Sequence, residues 1–203
     1  MPAMLLTALA RFAAATVVLG AVALIWGDAL AQAWLPLCRA EIEAFDDIYG
    51  IDQLALSQQG ADRVIRMDVH QARYFVLGGR TVVPHPLGRA SSTTLVANLL
   101  LPATLLIASG LTWPARRAWG YLTRLPLLAA ATLLLAALDV PLVLWAGIWG
   151  LHVEAFTPGS TSPVLVWVDM LQSGARIALP LVVGVLLGWA CERCWPAPRL
   201  RRP

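Results

Sequence analysis

Long uninterrupted runs of apolar residues constrain this chain more than any other feature. Spanning a bilayer takes about 20 apolar residues in a helix, and four stretches meet that length. They run over about 12–37, 93–113, 125–151 and 164–191. Only the second carries no charge. Asp28 interrupts the first, Asp139 and Pro141 the third, and Asp169, Arg176 and Pro180 the fourth. Of the 203 residues, 59% are hydrophobic and 13% charged, against about 25% charged in an average soluble domain. The bilayer is therefore the expected solvent.

The Arg residues give an expected orientation. All fifteen basic residues are Arg, and with the wealth of Ala, Leu, Gly and Pro this suggests a bacterial chain. Arg11 precedes the first span. Arg116, Arg117 and Arg124 lie between the second and third, and Arg193, Arg199, Arg201 and Arg202 follow the fourth. Cytoplasmic loops are rich in Arg and Lys, so both termini are expected in the cytoplasm of a multi-pass inner-membrane protein. Most of the nine Trp fall near span ends, as an interfacial aromatic belt requires. The net charge of +3 does not imply nucleic acid, because these Arg flank apolar spans. A rival reading takes the first span and "GDALAQA" as a signal peptide cleaved after Ala31 or Ala33, which leaves three spans.

The expected organisation is an anchor over 1–37, an extracytoplasmic domain over 38–92, a three-helix unit over 93–191 and an Arg-rich tail over 192–203. Within the outer block, "CRAEIEAFDDIYG" reads as a short helix ended by Gly50. "VIRMDVHQ" alternates Ile65, Met67 and Val69 with polar residues, the period of a half-buried strand. "YFVLGGRTVV" places Gly78-Gly79 where a two-residue hairpin turn needs positive φ. A second turn is expected near Gln59-Gly60. The fold class is thus a membrane α-helical protein of four helices, with a small antiparallel α+β domain between helices 1 and 2. Some fifty residues make a poor core alone, so this block should lean on the helices or on a partner.

Asp169 and Arg176 lie seven residues apart in the fourth span, close to two helical turns and so on one face. Arg176 is costly in lipid without a partner. Counting from the outer ends at Leu151 and Val164, Asp139 and Arg176 each lie about 18 Å down their helices. These two are the expected intramembrane pair, structural or functional. Asp28 and Asp169 are expected higher, towards the outer face, with Asp28 as the alternative counter-ion.

"CERC" at 191–194 lacks two further ligands nearby, so no metal or other cofactor is expected. Cys38 lies on the outer side with His70, His85 and His152, the ingredients of a membrane thiol enzyme if they converge. A third reading is a small-solute or proton carrier built on Asp28, Asp139, Asp169 and Arg176. No phosphate loop, nucleophile elbow or HExxH motif is present.

The apolar anchor, the outer domain ending in "VVPHPLGRASSTTLVANLLLP" and the further spans resemble one family. It is the small accessory membrane proteins found with bacterial exosortases, particularly those associated with exosortase H. The resemblance implies an auxiliary, non-enzymatic role beside a protein-sorting peptidase. Exosortases themselves are larger enzymes with a Cys, an Arg and a His, and that chemistry is not carried over to this shorter chain.

Overall fold

The computed structural model describes residues 2–113 and 118–194, with the side chains of 2–5, 118–122 and 194 left aside. Arg116, Arg117, Arg199, Arg201 and Arg202, which enter the orientation argument, lie outside the described residues. So does most of the expected 192–203 tail. The elements run α1 (Pro2–Phe45), β1 (Tyr49–Gln59), β2 (Asp62–Gln71), β3 (Phe75–Leu77), β4 (Arg80–Val82), β5 (Arg89–Leu95), α2 (Val96–Thr112), α3 (Ala118–Phe156) and α4 (Pro163–Met170). A π-helical turn over Leu171–Ala175 then leads into α5 (Arg176–Cys194). Three helical stretches are long and apolar enough to cross a membrane: Leu6–Phe45, Thr123–Phe156 and Pro163–Arg193. Helix α2 is apolar but has 17 residues. Long apolar helices with a small antiparallel sheet are compatible with a membrane α+β protein.

Several boundaries differ from the sequence expectation. Helix α1 does not end near Leu37 but runs unbroken to Phe45. Tyr49 and Gly50 belong to β1 instead of capping a separate helix. The stretch Arg89–Leu95 is a strand, so the second apolar helix begins at Val96, with no residue between strand and helix. Its Ser and Thr residues concealed it from a hydrophobic-alternation reading. The fourth apolar stretch is not one helix: Gly174 at φ 115° breaks the helical path inside the π turn.

The chain forms two compact units. One joins Ile25–Leu100 with Ala136–Arg176. Its three-stranded antiparallel sheet has the order β1-β2-β5, and β3-β4 form a separate hairpin instead of extending a meander. β1 turns into β2 at Gly60, with φ 63°, and the hairpin turns at Gly78-Gly79, with φ 61° and 75°. Alternation sets which face is buried. Ile65, Met67 and Val69 of β2 point inward beside Ile51 of β1, while Arg66 and His70 point away.

Helices cover the inner face. Ala31, Trp34, Cys38 and Ile42 recur every three to four residues along α1, and Val140, Leu144 and Ile148 every four along α3. Val96 and Leu99 of α2 complete this core. The proposed cleavage positions Ala31 and Ala33 therefore fall inside a continuous helix, and Ala31 is fully buried under the sheet. The approach is close: a Cβ on Gly147 would lie 2.2 Å from Ser92 Oγ of β5.

The other unit joins α1 up to Leu24, the described part of Leu101–Leu135, and α5 from Ile177. Here α2 and α5 pack backbone to backbone. A Cβ on Gly184 would lie 2.0 Å from Ser109 Oγ and 2.5 Å from the Leu106 carbonyl oxygen. A Cβ on Gly188 would lie 3.1 Å from the Gly110 carbonyl oxygen. Gly184 and Gly188 form the small-xxx-small spacing that lets apolar helices approach closely where lipid offers no hydrophobic drive to associate. Replacing Gly184 by Val should separate α2 from α5 and lower the unfolding free energy by about 1–3 kcal/mol, the usual cost of overpacking. Thermal unfolding in detergent checks this, with Ala178→Val, at an exposed position of the same helix, as the control.

Candidate functional site

Asp139 and Arg176 meet within the sheet-bearing unit. Arg176 donates from Nε to Asp139 Oδ2 and from Nη2 to Asp139 Oδ1, both at 2.7 Å. The side chains are 14% and 7% exposed. This is the bidentate fork, in which two charge-assisted bonds fix the angle between partners as well as their distance. Two local features bring the residues there. Pro141 cannot donate to the helix ladder and crowds the preceding turn. On that turn the Trp167 indole N–H donates to the Leu138 carbonyl at 2.7 Å, tying α4 to α3 beside Asp139. The π turn then places Arg176 at the first residue of α5.

The other two acids expected near this pair lie elsewhere. Asp28 accepts a hydrogen bond from Arg63 of β2, so its partner comes from the sheet and it is not the counter-ion of Arg176. Asp169 is exposed, without a hydrogen-bond or ion-pair partner among the described residues. Asp169 and Arg176 do not share the face of one regular helix, because the π turn with Gly174 intervenes.

Sequence reasoning missed a second buried pair, in the other unit. Arg124, read as a loop charge, lies inside α3 and is 2% exposed. It donates to Glu192 Oε1 at 3.0 Å and to the Trp113 carbonyl oxygen at 2.6 Å. The signal was available: Glu192 is the one acid at the end of the fourth span. Arg124 lies 15 residues before Asp139 in α3, and Glu192 lies 16 residues after Arg176 in α5. These intervals correspond to about 22 and 24 Å of helix.

Of the candidates expected on the outer side, His85 and His152 come together and Cys38 does not join them. Tyr49, His85, Arg89 and His152 line one cleft of about 150 Å³ at the edge of the sheet. The Tyr49 hydroxyl lies 3.0 Å from His152 Nδ1, which also lies 3.1 Å from the Ile148 carbonyl oxygen. Burial, with the Asp46 carboxylate adding to it, holds the Tyr49 phenol above the usual tyrosine range, so it keeps its proton at neutral pH. His70 instead pairs with Asp52 at 2.7 Å.

Cys38 is fully buried among the apolar residues of the core. An apolar surround disfavours the thiolate that a nucleophile requires. Cys191 is a free thiol, and no group of His, Cys, Asp and Glu suited to a metal occurs among the described residues.

Against protein-family models, curated proteins and solved structures, the chain returns no match.

Breaking the Asp139–Arg176 pair from one side leaves a buried charge unmatched. Asp139→Leu and Arg176→Leu should each lower stability by about 3–5 kcal/mol. The double replacement should recover much of that loss, because two apolar side chains leave nothing unpaired. Unfolding curves of the four proteins in one detergent measure this coupling, and simple additivity of the two losses would show that the residues do not act as a pair.

Proposed function

We propose that this protein is a non-enzymatic accessory protein of a bacterial inner membrane, and that its outer sheet domain docks another membrane protein. One observation carries the reading. The large apolar side chains Tyr74, Val76, Val83 and Leu87 are all exposed, clustered in sequence on the β3-β4 hairpin and the segments on either side of it. Exposed apolar groups gathered in one region mark interaction surfaces. The hairpin abuts the outer end of α3, where a Cβ on Gly78 would lie 2.4 Å from Thr157 Cγ2. Thr157 is 18 residues beyond Asp139, roughly 27 Å along the helix, which argues for a protein partner over lipid.

The two buried ion pairs support a four-span topology. The charge-free lengths of about 22 and 24 Å between them approach the ~30 Å hydrocarbon thickness, and long charged side chains reach interfaces from slightly inside. In this reading the charge-free stretches 125–138 and 177–191 cross the hydrocarbon, and Asp139 and Arg176 sit near the outer interface instead of at mid-depth. Helix α2 then crosses as a short fourth span, and the Arg-rich ends face the cytoplasm. Reporter fusions test it. A periplasm-dependent phosphatase should be active when inserted after Gly79 or Gly159 and inactive when fused after Cys194. Activity after Cys194 would overturn the orientation.

The resemblance to exosortase-associated proteins supplies the partner: a multi-span sorting peptidase of that type. The rival carrier reading is weakened by the closed fork, which leaves neither charge free for a passing solute. A photo-cross-linking residue at Val76 should yield one discrete adduct with such a peptidase in native membranes. Val83→Asp and Leu87→Asp together should abolish it while leaving the amount of folded protein unchanged. An undiminished adduct in that double variant would show that the hairpin region is not the docking surface.

A further inference from the structure

The cleft holding Tyr49, His85, Arg89 and His152 has a composition that the docking role does not require. No Asp or Glu is among the residues that line it. Four other basic groups on the sheet domain have acidic partners: Arg63 with Asp28, Arg66 with Asp68, Arg73 with Asp47 and His70 with Asp52. Arg89 has neither an ion-pair nor a hydrogen-bond partner among the described residues. His85 Nδ1 accepts the Leu87 backbone N–H at 3.2 Å, which places its own ring proton on Nε2 when neutral. His152 Nδ1 lies 3.0 Å from the Tyr49 hydroxyl and 3.1 Å from the Ile148 carbonyl oxygen, which only accepts; with Nδ1–H turned to that carbonyl, Nε2 donates from the imidazolium form.

We propose that this cleft binds a phosphate group, with Arg89 as the ionic anchor, His85 as an N–H donor, the His152 imidazolium as a second cationic donor, and Tyr49 as the positioning residue that holds the His152 ring. An arginine and two histidines around one cleft, with no carboxylate to compete, suit the multiply charged, three-oxygen face of a phosphate monoester better than a singly charged carboxylate. The cleft has room for about five waters at roughly 30 Å³ each, enough for the anion and little more. The ring of His152 is held by its neighbours, with Phe75 edge-on at 5.3 Å and Phe156 stacked at 6.4 Å, so its Nε2 direction is fixed before any ligand arrives. Two other cavities among the described residues lack these features. The groove beside Arg66 has its cation already paired with Asp68, and the void beside Glu41 and Trp145, about 20 Å³, is no larger than one water needs.

Titrating the full-length protein in detergent with inorganic phosphate, while following the ¹⁵N resonances of its histidines, tests the site. Saturable shifts at His85 and His152 are expected. Arg89→Gln, at an exposed position that the fold tolerates, should weaken binding about tenfold, the loss of one strong charge-assisted contact. Tyr49→Phe should move the His152 ring resonances and weaken binding less than Arg89→Gln does. Acetate should bind at least tenfold more weakly than phosphate. Two sources could supply the group, and a second arm separates them. An Arg89-dependent His152 shift in nanodiscs containing phosphatidic acid, without free phosphate, assigns a lipid headgroup; its absence there, with saturation by free phosphate, assigns a soluble phosphate ester. Absence of a saturable shift in both arms, equal binding by acetate, or unchanged affinity in Arg89→Gln would overturn the proposal.

Discussion

An arginine can be kept in a mostly apolar protein only if its charge is answered where it stands, and the Asp139–Arg176 fork supplies that answer. Much of the surrounding architecture serves the contact. Pro141 loosens the ladder of α3 just beyond Asp139, Trp167 ties α4 to the backbone carbonyl next to it, and the π turn carries the chain to Arg176. Each of these features would weaken a helix considered alone. Together they fix where three helical segments stand around one ion pair. A buried pair is weak evidence for stability, because desolvation can exceed attraction; its firmer role here is to specify register, with Arg124 and Glu192 doing the same in the other unit.

The sheet depends on the helices for its core. Three strands and a short hairpin could not bury enough surface alone. Ile65, Met67 and Val69 are buried because α1 lends Ala31, Trp34, Cys38 and Ile42, and α3 lends Val140, Leu144 and Ile148. This explains helices longer than a bilayer needs. At 44 and 39 residues, α1 and α3 extend to about 66 and 58 Å, roughly twice the hydrocarbon thickness. Apolar character along such a helix has two causes, lipid on one stretch and the sheet on another.

That double cause separates what was legible in the sequence from what was not. The strand alternation of β2 and the Gly-Gly turn are local signals, and their residues occupy the strand and turn that those signals describe. The Asp139–Arg176 juxtaposition followed from a long-range constraint that needs no knowledge of packing: a lone charge needs a partner. Hydropathy cannot distinguish a residue facing lipid from one facing a sheet, so the end of α1 and the role of α3 beyond Asp139 were hidden. Strand β5 is built of Ser and Thr and is buried through Ser92 and Thr94, a pattern without hydrophobic contrast. The π turn shifted Asp169 out of phase with Arg176, and only Gly174 hinted at it. The Tyr49–His85–Arg89–His152 cleft assembles residues over a hundred positions apart, and nothing in their spacing announces it.

The direct passage from β5 into α2 has a mechanical meaning. Leu95 ends the strand and Val96 begins the helix, so the peptide bond that closes one element opens the next and no slack lies between them. A linker of even a few residues would let a tug on the strand die out in torsional play. Here a displacement of β5 along its axis has nowhere to go except into the first turn of α2, where Val96 and Leu99 are part of the same core. Whatever engages the sheet from outside therefore holds a handle joined rigidly to an apolar helix.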